Sequence, residues 1–143
     1  LPEDAHRLRE KLRLSNPEHQ RLVKAAEAFE TLHGLDAPPD AHGLLKLLYQ
    51  NGRRAACDAL MLAAAEARGD ETPWHKALGF LRETKEPRLP FSGEELLTRG
   101  IANGKAVGDA LALLESHWID AGFPEEPAEL KALFDGAVAQ ITK

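Results

Sequence analysis

The sequence is poor in the residues that catalytic and redox chemistry most often use. Its single cysteine, Cys57, excludes any disulfide within the chain. It lies in RRAACDALMLAAA, where a small buried apolar side chain is expected rather than a nucleophile. The histidines at 6, 19, 33, 42, 75 and 117 show no metal-ligand spacing. Serines at 15, 92 and 116 fall at helix starts or faces and suggest no Ser-His-Asp arrangement. No G-x4-G-K-[ST] loop, strand-like alternation, repeat or low-complexity tract is present. There is no apolar run of bilayer-spanning length and no signal-peptide pattern, so the expected location is cytoplasmic. The first residue is Leu1 rather than Met, which suggests a piece of a longer polypeptide.

What is present is helical periodicity. A chain of 143 residues has room for one domain or two small helical subdomains with a real core. Ala5, Leu8 and Leu12 mark one face of a short first helix. In SNP, Asn16 is expected to cap the next helix, with Pro17 at its first position. That helix runs to about His33, and Leu22, Ala25, Ala26, Phe29 and Leu32 form its buried stripe. GLDAPPD breaks the chain. AHGLLKLLYQNG gives a third helix ending at Gly52, and residues 53 to about 68 read as the central helix, alanine-rich for close neighbours.

GDETPW is the clearest seam, dividing a segment 1–70 from a segment 71–143, with Thr72 as cap and Pro73 at the first helical position. A helix through WHKALGFLRE follows and PRLP stops it. Trp74 reads as an anchor at that helix start or as a stacking platform for a base. SGEE offers a capping box of Ser92 and Glu95. The next helix sets Val107, Ala110, Leu111, Leu114 and Trp118 on one face, and the last uses Leu130, Leu133, Phe134, Val138 and Ile141. The expected fold is therefore all-α, with about seven to eight helices in one elongated or two-part bundle and no sheet.

Between two of these helices, TRGIANGKAVGDAL carries glycines four residues apart. Gly100 is expected to end one helix in a left-handed conformation. Asn103 suits a cap, Gly104 allows a close backbone approach, and Gly108 suits tight helix packing. Backbone N–H groups exposed beside Lys105 give a geometry that can hold a phosphate. The plainer reading is a helix stop with two packing glycines.

Charge is unevenly spread. The net charge of −5 argues against a general nucleic-acid binder. Yet residues 76–105 carry Lys76, Arg82, Lys85, Arg88, Arg99 and Lys105 against four carboxylates, whereas residues 106–143 carry two lysines against seven. Contacts with a polyanion are thus expected from Arg99, Gly104, Lys105, Lys76, Arg82 and Arg88. Gly100, Gly108 and Trp118 are expected to serve the turn and the packing.

The stretch LPFSGEELLTRGIANGKAVGDALALLESHWIDAGF resembles the C-terminal part of bacterial CCA-adding tRNA nucleotidyltransferases of the poly(A) polymerase type. The matching residues are Gly93, Glu95, Leu96, Leu97, Gly100, Gly104, Val107, Gly108, Trp118, Ile119 and Phe123. Upstream, LREKLRLSNPEHQRL is similar to the start of the same enzymes' body region. Lys105 stands where that family usually has proline, and Glu95 where aspartate is commoner.

The resemblance implies a body and tail region that grips tRNA so that its 3′ end reaches a catalytic head. The head and neck of the same polypeptide would then be this chain's partners, with tRNA. Mg²⁺, CTP and ATP would belong to that head, because no catalytic or metal-binding residues and no cofactor are expected here. Asp4 with Arg7 and Glu10 with Arg13 have the spacing of that family's base-reading neck pair, but they lie downstream of its usual position and read as helix-surface ion pairs. The isolated chain is expected to be inactive. A poly(A) polymerase C-terminal part would look the same, and a helical protein-interaction module without RNA contact is the alternative from another class. Oligomeric state is open.

Overall fold

In the computed structural model, residues 2–141 are described, except for the side chains of Pro2 and Ala5. The Ala5 contribution to the first helix face thus lies outside the described residues. Eight helices and no strand occur among the described residues: α1 (Pro2–Leu12), α2 (Asn16–Phe29), α3 (Ala41–Asn51), α4 (Arg53–Glu66), α5 (Thr72–Glu83), α6 (Gly93–Thr98), α7 (Lys105–Asp120) and α8 (Pro127–Ile141). The fold is all-α.

The chain forms two compact units, Leu1–Pro87 and Arg88–Lys143. The boundary therefore falls after Pro87 and not at the GDETPW seam. The cause is α5: Trp74, Ala77, Leu78 and Leu81 are buried against the same core as α4. GDETPW is a turn inside the first unit.

In that unit α4 packs against α2, α3 and α5. Its small side chains Ala55, Ala56, Ala59, Ala63 and Ala64 are buried, which lets the neighbouring backbones come close. Leu48, Leu60 and Leu81 fill the space between. Arg21 of α2 makes a two-pronged ion pair with Asp58 of α4, Nε to Oδ2 and Nη2 to Oδ1, each 2.9 Å. Arg53, at the start of α4, donates from Nη1 to the carbonyls of Leu81 and Arg82 and so closes the end of α5.

Three expected details change. The helix α2 is capped by Ser15, one residue before the expected Asn16, and Pro17 sits one position further in. It is a full capping box: the Glu18 carboxylate accepts from the Ser15 N–H at 2.8 Å and from its hydroxyl at 2.9 Å. Thr72 is inside α5 rather than its cap; its N–H donates to Asp70 Oδ1 at 2.9 Å, because aspartate is the better acceptor and precedes it by two. α2 also stops at Phe29, although Leu32 in the following turn remains buried.

The Ser15 box fixes a pH response. Hydrogen bonds from the Ser15 backbone and hydroxyl hold the Glu18 carboxyl below the ordinary glutamate range. A carboxyl lowered on folding stabilises above its unfolded value, and the contribution is lost as pH falls through the folded one. Glu18→Gln is therefore expected to lower the melting temperature at neutral pH and to converge on the parent chain as the solution is acidified. Ser15→Ala should cost about 1 kcal/mol at neutral pH, read by urea titration.

In the second unit Leu96, Ile101, Ala110, Leu114, Ala137 and Val138 form the core of α6, α7 and α8, with Phe91 and Phe134 packed against it. Trp118 is buried at 2% exposure, edge-on to Phe123 at 5.0 Å, and its indole N–H donates to Pro124 O at 3.1 Å.

Candidate nucleic-acid interface

The glycine turn is built from the sequence outward. Ser92 caps α6 by accepting from the Glu95 N–H, while Glu95 Oε2 accepts from the Ser92 N–H at 3.1 Å. After Thr98 the chain stops in a paired manner: Gly100 N–H reaches Leu97 O at 3.1 Å and Ile101 N–H reaches Leu96 O at 3.2 Å. That pattern needs a left-handed residue in the middle, and Gly100 has φ +87°. Ile101 is thereby turned inward beside fully buried Leu96, so the stop is also a packing contact.

α7 begins differently. Its cap is Gly104, again at φ +87°, with no side-chain hydrogen bond and no carboxylate in the first turn. Asn103, the expected cap, instead accepts from the Gly104 N–H at 2.8 Å. No other atom comes within 4 Å of a Cβ built at Gly104, so its glycine is required by φ and not by a close approach. The first residues of α7 thus present backbone N–H groups and the exposed Lys105.

The remaining expected residues are placed as follows. Arg99 is exposed, but its Nη1 pairs with Asp135 Oδ1 at 2.9 Å and its guanidinium lies 5.3 Å from the Phe134 ring centre. It is engaged with α8 inside its own unit. Arg88 is exposed at the start of the second unit. Lys76 and Arg82 are both exposed on α5 in the first unit. Six residues apart on a helix, they project roughly 120° from one another. Gly108 is exposed with nothing within 4 Å of an added Cβ, which corrects its expected packing role. Within the second unit the close glycine is Gly93, where a Cβ would stand 3.2 Å from Val107 Cγ1.

Comparison with family models, with curated proteins and with solved structures gives no match.

Trp74, at 2% exposure, is core and offers no stacking platform. Cys57 is half-buried, and burial holds its thiol above the usual range against the opposing pull of Arg82 and Arg53. Among the described residues no group of three or more His, Cys, Asp or Glu is placed to hold a metal ion, and no helix is long and apolar enough to cross a membrane.

One surface goes beyond what the sequence indicates. Leu8 and Leu12, on the apolar face of α1, are 40% and 64% exposed. With Leu22, Met61 and Leu62 they line an apolar groove of about 540 Å³ between α1, α2 and α4. The leucine spacing is legible in the sequence; the groove is not, because Met61 and Leu62 are brought to it from α4, some fifty positions along the chain.

Proposed function

We propose that this chain is a tRNA-positioning helical region of a CCA-adding tRNA nucleotidyltransferase, acting through phosphates and shape while catalysis resides in a head domain elsewhere in the polypeptide. The reading rests on the motif resemblance over residues 92–123. The observation that carries it furthest is the open start of α7, where Gly104, uncapped N–H groups and exposed Lys105 converge. Such an end attracts an oxyanion through both its donors and the helix dipole. The poly(A) polymerase version of this reading has the same geometry. CTP, ATP and Mg²⁺ are assigned to the head, and the location that goes with tRNA maturation is cytoplasmic.

Filter binding of tRNA by the 143-residue chain tests the proposal. Weak binding is expected, falling steeply with salt, each phosphate contact adding roughly 0.9 to the log–log slope. Lys105→Glu is expected to weaken binding about tenfold at low salt and to lower the slope by about one. It should also raise the melting temperature slightly, since a carboxylate suits a helix start. Arg99 is a poor choice for this test, because Arg99→Glu would set a carboxylate against Asp135. No nucleotide addition from CTP and ATP is expected from the chain alone. Binding by Lys105→Glu equal to the parent's would remove the α7 start from the interface.

The second reading, a protein-interaction module, is favoured by the exposed apolar groove and by the carboxylate excess of the second unit, nine against five Lys/Arg over 88–143. Absence of any salt-dependent tRNA binding would leave it in possession.

A further inference from the structure

The corner where α1 turns into α2 forms an open surface depression of about 400 Å³ lined by His6, Arg9, Glu10, Arg13 and Leu14. Two guanidinium groups and an imidazole thus border one space, with a single carboxylate among them. The local sequence reinforces the sign: residues 7–13 hold Arg7, Arg9, Lys11 and Arg13 against Glu10 alone.

Two of these side chains, Arg9 and His6, are held by neighbours. Arg9 Nη2 donates to Asn16 Oδ1 in the first turn of α2, which bridges the two helices and limits the rotamers of the side chain. The His6 ring lies 5.3 Å from the ring of buried His19, tilted by 48°. Arg13 has φ +53°, a region that a side chain with a Cβ seldom occupies. The backbone closes beneath it through the Leu14 N–H to Arg9 O bond at 3.1 Å. A non-glycine residue kept in such a conformation at the rim of a depression lined by a second arginine is the kind of local cost found at binding sites.

We propose that this corner is a phosphate-binding site, with Arg9 and Arg13 as the principal donors and His6 beside them. Guanidinium forks match the oxygen pairs of a phosphate and hold it through charge-assisted hydrogen bonds. The site is in the first unit and does not depend on the tRNA reading. A nucleic-acid phosphodiester and a free phosphate group present the same oxygens, so the experiment separates them.

Inorganic phosphate is titrated into the isotope-labelled full chain at low ionic strength and followed by NMR. Saturable shifts are expected at His6, Arg9 and Arg13. Arg9→Gln and Arg13→Gly should each weaken the affinity about tenfold. Glycine accepts φ +53° without a Cβ clash, so Arg13→Gly should keep or raise the melting temperature, which separates lost binding from lost folding. Lys24→Gln, exposed on α2 outside the depression, should bind as the parent does. A short RNA oligonucleotide that displaces phosphate from these resonances identifies the phosphodiester as ligand; phosphate shifts that the oligonucleotide leaves unmoved identify a free phosphate. Shifts confined to other residues, or equal affinity in all three variants, would overturn the site.

Discussion

Trp118→Ala is expected to unfold the second unit while the first stays folded. The two units have separate cores, and Trp118 is among the largest fully buried side chains. Truncating such an indole costs about 3–5 kcal/mol in transfer and cavity terms. A unit of the size of Arg88–Lys143 has of order 3–8 kcal/mol of stability in total. The loss thus removes most or all of it. The chain has one other tryptophan, Trp74, in the first core, so in this variant the remaining fluorescence follows the first unit alone. Its urea midpoint should match the parent's, while methyl signals of Ile101, Leu114 and Val138 collapse. Trp118→Phe keeps the edge-on contact to Phe123 and loses the bond to Pro124 O, with a loss near 1 kcal/mol from the bond and a further part from volume. A Trp118→Ala chain whose second-unit methyls remain dispersed would show that the contacts of the indole with Phe123 and Pro124 are not needed to hold the α6–α7–α8 core.

The second large effect lies in α4 and separates two adjacent residues. Leu60 is fully buried, whereas Met61 is 42% exposed on the apolar groove. Leu60→Ala is expected to destabilise by about 2–5 kcal/mol, because α2, α3 and α5 confine α4 and the void cannot collapse. Met61→Ala should change stability by about 0.5 kcal/mol or less. Urea denaturation of both variants, each carrying Trp118→Phe so that Trp74 alone reports, measures the contrast. Equal losses would mean that the groove is closed in solution.

Periodicity made the helices readable, because each buried stripe recurs at three and four residues and each break carries glycine, proline or a cap. Ser92 with Glu95 and the left-handed Gly100 were legible because local chemistry alone decides them. The cap of α2 went one residue astray because Ser15 and Asn16 are both good caps, and Glu18 decides between them only through its reach back to Ser15. The unit boundary was misread for a different reason: a capped turn looks the same within a unit as between units. Only the burial of Trp74, Ala77 and Leu81 beside α4 tells them apart. At the candidate interface, the exposure of Lys105 followed from the turn. The pairing of Arg99 with Asp135 spans 36 positions, a partnership that no local pattern announces.

Two helices here begin alike, on a left-handed glycine followed by a cation: Gly52 before Arg53, and Gly104 before Lys105. A positive side chain at the positive end of a helix is electrostatically adverse. For α4 the conflict is resolved internally, since Arg53 is drawn to the carbonyl end of α5. For α7 no described residue plays that part, and the start of the helix is locally frustrated. Folding by itself would favour serine or aspartate near this turn and no lysine. The conflict relieved at one helix start is left standing at its counterpart, so Arg53 is the cation whose loss should lower the melting temperature and Lys105 the one whose replacement by a neutral residue should raise it.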